Sequence, residues 1–449
     1  MKILQVAHSF PPFTTAGTEI YTYNLSCELA RRHNLFVFHR INDLEKEEYA
    51  LEHYSLDGFK ACTINNTFRK YKSFEATYKN DAVAEKFGFI LDQIKPDIVH
   101  VQHLLYLSTK IVEEMEKRNI PIVFTLHDYW LICPQGQLLK NNMKICNGEN
   151  NSECMQCVAH QLNIKKNVFN TYYFLKKIMP EALFQLIKNI YLTYGKFSLN
   201  KKINLIEERI TYIKGICSRV DLFISPSQFL RKKFIEFGIP QNKIIFSRYG
   251  FNLDSFKDVK KQPSAKLRFG FIGNLLPAKG VHVLINAFNK IKDDKAELRI
   301  YGEEISYKGK LGCYLSSIKK LAKNKNIKFM GGFDNRNAVN VFNEIDVLIV
   351  PSIWYENSPL VIQEAFACKT AVIASRTGGI LELIEDGRNG FLFEPNNADD
   401  LYRKINLIIK NHCSIEEIKQ NIKPPKSIEE NAQELGNIYE DLLKDVKTF

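Results

Sequence analysis

Short apolar runs alternate with longer stretches of helical period along most of the 449-residue chain. "KILQVAH" and "LFVFHR" read as strands on either side of a helix that begins near Gly17. "DIVHVQH" and "PIVFTLH" follow, separated by the helical "STKIVEEMEKRN", and such alternation predicts a parallel sheet with helices on both faces. From Val158 to about Gly215 the pattern turns to helices without obvious strands, after which "DLFISPS" and "KIIFSRYG" restore the alternation. The polar, proline-containing "DSFKDVKKQPSA" marks a linker. Beyond it, "KLRFGFIGN", "ELRIYG", "IKFMGGF", "DVLIVPS", "TAVIAS" and "GFLFEP" predict a second alternating half, and "SIEENAQELGNIYEDLLKDV" an amphipathic terminal helix.

The expected architecture is α/β, with two Rossmann-like doubly wound domains facing a cleft. Residues 1–250 form the first, with a helical insert at about 158–216. Residues 262–424 form the second, and 425–449 a helix that packs back on the first. In such sheets ligands bind outside the carboxyl ends of the strands.

At one such end, after "DVLIVPS", stand two glutamates with seven residues between them, Glu356 and Glu364, with Asn357, Ser358 and Pro359 following the first. Pro359 suits the first helical position and Ser358 the N-cap. The free N–H groups of Ser358, Leu360 and Val361 then make an anion site suited to a diphosphate. The carboxylates themselves suit hydroxyl groups. A diphosphate flanked by hydroxyl-rich groups is a nucleotide-sugar. Spacing alone suits ordinary surface glutamates as well.

That spacing, its Asn-Ser-Pro insert and the following "IASRTGGILELIEDGRNGFLFEP" resemble the retaining glycosyltransferases of family 4, which have the GT-B fold. "FIGNLLPAKGVHVLINAF" is similar to the family's phosphate-binding segment and "TLHDYWLICPQGQ" to its histidine segment. The resemblance implies that Glu356 contacts donor-sugar hydroxyls, Glu364 the ribose hydroxyls and Lys279 the diphosphate, with His127 beside the sugar. It also implies donor contacts from Gly273, Leu360 and the strand-end pair Gly331 and Gly332. The family's second diphosphate cation, an arginine, is replaced by Asn274, for which Arg248 or Arg376 is a candidate substitute. Gly17 lies in the first strand–helix turn, where a glycine lets the backbone approach a ligand. His103 is an acceptor candidate, equally suited to a structural role. Lys279 with Glu356 and His127 form the expected catalytic set.

The net charge of +12 fits either a lysine-rich solvated surface or an acidic partner. The expected partners are a nucleotide-sugar donor and a saccharide or lipid-linked acceptor, not a nucleic acid. No Asp-x-Asp triplet suggests a catalytic metal, so none is expected. Cys146, Cys154 and Cys157, with His160 three residues on and Cys133 nearby, have the ligand types of a structural zinc site, although a loop of free thiols or a disulfide fits as well. Val158 to Lys202 is rich in lysine and aromatic residues, and suits either an anionic membrane surface or a packed helical insert. No signal peptide is evident at the N-terminus and no apolar run is long enough to span a membrane, so a cytoplasmic protein, peripheral at most, is expected. The competing readings are a nucleotide-sugar epimerase of similar architecture and a non-catalytic nucleotide-sugar-binding partner.

Overall fold

The computed structural model describes residues 1–70, 73–148, 151–158, 179–180, 183, 199–256, 259–304, 313–334, 337–411 and 413–447. The first sheet comprises β1 (Lys2–Ala7), β2 (Asn34–Ile41), β3 (Leu51–Leu56), β4 (Phe59–Asn65), β5 (Ile98–Val101), β6 (Ile122–Thr125), β7 (Leu222–Ser225) and β8 (Ile244–Phe246). Their spatial order is β3-β4-β2-β1-β5-β6-β7-β8. All pairs are parallel except β3–β4, and Ile3 of β1 stands opposite Leu35 on one side and Ile98 on the other. Helices cover both faces, which is why β5 and β6 are buried at every position.

The β3–β4 hairpin is absent from the strands expected above. Its signal is present, since Asp57 and Gly58 both take positive φ (44° and 89°), as a two-residue hairpin turn requires.

The second sheet is entirely parallel and comprises β9 (Leu267–Ile272), β10 (Ala296–Tyr301), β11 (Ile327–Gly331), β12 (Val347–Val350), β13 (Ala371–Ser375) and β14 (Phe391–Phe393). Their order is β11-β10-β9-β12-β13-β14. Strand order therefore reverses between β1 and β5 in the first sheet and between β9 and β12 in the second. These two switch points are where a doubly wound sheet opens a crevice for ligands.

The polar linker is docked on the second domain. Lys261 Nζ donates to the carbonyls of Phe342 and Ile345 and to Thr370 Oγ1 at 2.6–2.8 Å, and burial lowers its pKa to about 8. The terminal helix Ile428–Lys447 lies against the helix Gly17–Ala30, where Tyr21 Oη donates to Asn431 Oδ1 at 2.9 Å. Tyr439 reaches further, to His100 Nδ1 in β5 at 2.6 Å. Asn151–Val158 and Leu199–Ser218 are helical. Most of the lysine-rich Val158–Lys202 segment, including His160, lies outside the described residues. Among the described residues no helix is long and apolar enough to cross a membrane.

Candidate active site

The loop after β12 carries Glu356, only 4% exposed. One carboxylate oxygen, Oε1, accepts from Ser352 Oγ (2.6 Å), Trp354 Nε1 (2.8 Å) and Lys279 Nζ (2.7 Å). No partner for Oε2 is found among the described residues. Three donors on one oxygen fix the orientation of the carboxylate and leave the other oxygen available to hydroxyl donors. Lys279 ends the short 3-10 turn Pro277–Lys279 and lies 5.4 Å from the Trp354 ring centroid.

Two glycine features bring these loops together. Gly280 has φ of 71°, and a Cβ there would lie 1.8 Å from the carbonyl oxygen of Pro351, so only glycine lets the Lys279 turn touch the end of β12. Gly378 (φ 55°) and Gly379 press on the other side: their Cβ positions would fall 2.2 Å from the Glu356 carbonyl oxygen and 1.7 Å from that of Asn357. The Gly379 N–H donates to the Glu356 carbonyl at 2.7 Å.

The helix after this loop runs Leu360–Ala367, with Pro359 at the N-cap and no side-chain cap. The expected Ser358 cap with Pro359 as first helical residue is corrected by one position. Asn357 is held by the first domain, and the chain stays extended through Pro359 (ψ 117°) before it turns into the helix. Leu360 meets the first residue of another helix, since a Cβ on Gly17 would lie 3.2 Å from Leu360 Cδ1. Two helix N-termini thus converge at the β9–β12 switch point, which favours an anion there.

Glu364 is half-buried on the same helix, and burial raises its pKa to about 7. Gly273 and the exposed Asn274 follow β9 at the same switch point, while Gly331 ends β11 and Gly332 lies against Glu303. Neither candidate substitute cation is unengaged. Arg376 pairs with Asp386 (2.9 Å) and Glu394 (3.3 Å), and Arg248 donates to the carbonyl of Glu382 at 3.2 Å.

The first domain contributes a wall of histidines. His127, after β6, has both ring nitrogens engaged: Nε2 with Gln102 Oε1 at 2.8 Å and Nδ1 with Tyr249 Oη at 2.7 Å, the Tyr249 ring stacked 5.3 Å away. Burial, then His103 and His100, hold its pKa well below the ordinary value, so it is neutral. Nε2 carries the proton, because Gln102 Oε1 only accepts. What His127 presents to the second domain is its carbonyl, which accepts from Asn357 Nδ2 at 3.2 Å.

His103, after β5, accepts the Leu105 N–H on Nδ1 (2.9 Å), so its Nε2–H points to Asp128 Oδ1 at 3.1 Å. His8, after β1, lies 4.6 Å from His103 and 3.4 Å from Glu19. Burial, then His103, holds His8 well below its ordinary pKa, and burial raises that of Glu19.

Polar contacts close the domains on one another. Asn357, buried, also accepts from Ser227 Oγ at 2.6 Å. The Glu382 carboxylate accepts the Gln228 and Phe229 N–H groups at 2.8 and 2.6 Å, capping the helix Gln228–Phe237 of the other domain. Sequence reasoning left out Ser352, Trp354, Asn357, Glu382, Asp128 and Glu19 as site residues. The segments "PSIWYENSPL" and "TLHDYW" contain four of them, yet nothing in the local pattern says which oxygen meets which donor. Among the described residues no group of three side chains suits a metal ion; Cys146, Cys154 and Cys157 are described, and His160 is not.

Comparisons with known proteins bear on the fold and the family. Residues 254–434 match the family model for glycosyl transferases group 1, and residues 15–147 that for glycosyltransferase family 4. A 42.6 kDa protein of the cps region of Klebsiella pneumoniae is 23% identical over 424 residues, 90% of this chain and 96% of that one. The lipopolysaccharide 1,2-N-acetylglucosaminetransferase of Salmonella typhimurium is 30% identical over 41% of this chain, and the match spans about half (51%) of that protein. Among solved structures, HepE of Anabaena with UDP and glucose superposes with a TM-score of 0.63 at 17% identity, over 100% of both chains. A sucrose-phosphate synthase of Thermosynechococcus elongatus gives 0.66 at 17% identity, over 99% of each chain.

Fold and matched segments together define a glycosyltransferase of the GT-B architecture. Within that class the chain belongs with family 4, its two matched segments falling on the two domains that face the site.

Proposed function

We propose that the protein transfers a sugar from a nucleotide-sugar donor to a hydroxyl of a saccharide or lipid-linked acceptor, with retention and without a metal, in the assembly of a cell-surface polysaccharide. The observation that carries this reading is the Glu356 carboxylate, loaded on one oxygen by Lys279, Trp354 and Ser352 and open on the other, beside a helix N-terminus. The cation and the helix end suit the diphosphate, and the open oxygen suits sugar hydroxyls. In the reaction the acceptor oxygen bonds to the anomeric carbon as the carbon–oxygen bond to phosphate breaks. The electron pair leaves with the nucleoside diphosphate, and the hydroxyl proton passes to a departing phosphate oxygen on the same face. Lys279 and the Leu360 and Val361 N–H groups stabilise the charge as it develops. Glu364 receives the ribose hydroxyls.

The surroundings of two relatives support the wider role, one encoded in a cps region and one acting on lipopolysaccharide. The solved complex of HepE with UDP and glucose makes UDP-sugars the first donors to test. Thermal shift with UDP, GDP and ADP and their sugar conjugates identifies the donor, since ligand binding raises the melting temperature. Turnover with that donor in excess chelator, at the wild-type rate, is the expected result. Loss of transfer restored only by magnesium or manganese would end the metal-free reading. Release of altered free sugar in the absence of acceptor would favour the epimerase, and binding without turnover the non-catalytic partner. A lipid-linked acceptor further predicts co-sedimentation with anionic but not neutral liposomes.

A further inference from the structure

The second domain's switch point and the strand end beside the first domain's, after β6, carry carboxylates prepared in the same way. On the second domain Glu356 is saturated on Oε1 and open on Oε2. On the first, Asp128 Oδ1 accepts the Trp130 N–H (2.7 Å) and the His103 Nε2–H (3.1 Å), and no partner for Oδ2 is found among the described residues. The Asp128 side chain is 29% exposed, whereas His103, which holds it, is 7% exposed. Its backbone is fixed as well, because the fully buried Arg209 donates to the Trp130 carbonyl at 2.6 Å. Tyr129, next in sequence to Asp128, is buried, its hydroxyl finds no partner among the described residues, and after burial the charges of Glu356 and then Asp128 raise its pKa further.

We propose that Asp128 is the acceptor-hydroxyl site: its unpaired Oδ2, which lies beside Gly136, accepts the hydrogen bond of the hydroxyl that is to be glycosylated, and His103 is the positioning residue that holds the carboxylate by its other oxygen. This rests on the glycosyltransferase reading above and adds the side chain that orders the acceptor. The Nδ1 of His103 is occupied by the Leu105 N–H, so the imidazole is a fixed donor to Asp128 through its Nε2–H. The chemistry selects a neutral, hydroxyl-bearing group. An acceptor whose reacting group is itself anionic would meet the Asp128 carboxylate with repulsion.

The test measures two products from the same donor, once the donor screen has identified it: glycosylated acceptor, with simple saccharides as probes, and free sugar from hydrolysis by water. Asp128→Asn puts an N–H donor or a neutral oxygen where the carboxylate was. The ratio of transfer to hydrolysis should fall at least tenfold, through kcat for the acceptor. A thermal shift by UDP or the identified nucleotide checks that the variant is folded. His103→Gln, which retains an N–H donor, should keep more of the ratio than His103→Leu. An unchanged ratio in folded Asp128→Asn, or equal losses in the two His103 variants, would overturn the proposal. If the wild type turns over no nucleotide-sugar, the parent reading fails and this one with it. If it hydrolyses and transfers normally with Asp128→Asn, only this one fails.

Discussion

The two switch points face one another, yet they are built from opposite materials. Between β9 and β12 stand a lysine, the N-terminus of the helix Leu360–Ala367, met there by that of the first domain's helix Gly17–Ala30, and glycines that let backbones touch. Between β1 and β5, and at the neighbouring end of β6, stand His8, His103 and His127, with Glu19 and Asp128 beside them. The first set brings a lysine ammonium and backbone N–H groups together, which is what a diphosphate needs. The second keeps His8 and His127 neutral by burial and offers acceptors, which is what hydroxyl groups need. One fold, used twice, thus separates leaving-group stabilisation from acceptor ordering by the residues at its strand ends.

The largest break in that contrast comes from removing the charge pair on the second domain. Glu356→Ala and Lys279→Ala should each lower turnover at least ~100-fold in steady-state assays, the scale of one preorganised transition-state contact. Near-normal turnover by either folded variant would refute their placement.

A steric variant attacks the same loop without touching its charges. Gly379→Ala puts a Cβ 1.7 Å from the Asn357 carbonyl oxygen, so the Glu356 loop must move. Overpacking of this kind costs about 1–3 kcal/mol. A melting temperature lowered by several degrees, with turnover reduced, is expected; an unchanged melting curve would show that the loop yields freely.

Protonation sharpens the comparison next. Glu364 has a pKa near 7 in the fold, raised by burial above its ordinary value of 4.5. The folded state holds this proton more tightly than the unfolded chain, so its contribution to stability falls as pH rises between those values and is constant above. Ribose hydroxyls favour the ionised form, so nucleoside affinity should rise with pH through about 7. Calorimetry should show about tenfold weaker binding at pH 6 than at pH 8. Glu364→Gln should flatten the part of the profile that is not due to the phosphate itself. A wild-type profile identical to that of the variant would remove Glu364 from the ribose site.

The smallest expected effect concerns the join between the domains. Asn357→Ala loses hydrogen bonds to His127 and Ser227. At about 0.5–1.5 kcal/mol per bond, the closed arrangement should become less populated. A larger radius of gyration in small-angle scattering, partly reversed by the nucleotide donor, is the expected result.

Most of the second half was legible before any fold was known. Parallel strands buried on both faces read as continuous apolar runs, and Glu356, Glu364 and Lys279 lie in short segments whose spacing is local. The β3–β4 hairpin was equally readable from Asp57-Gly58. The cap expected at Ser358 falls one residue later, because the chain stays extended through Pro359 (ψ 117°) before it turns into the helix.

By itself the sequence determined two alternating α/β halves, their strand ends and the residue types gathered there, because side-chain period and turn chemistry act over a few positions. Only the tertiary structure decided which oxygen of each carboxylate is loaded and which is open. Lys279 meets Glu356 across 77 positions, Asn357 meets His127 across 230, and Arg209 holds Trp130 across 79. The wall of His8, Glu19, His103 and Asp128 is assembled from segments far apart in the chain. Hydrogen-bond partners are chosen by proximity in space, and that proximity exists only once both sheets have closed and the domains have met.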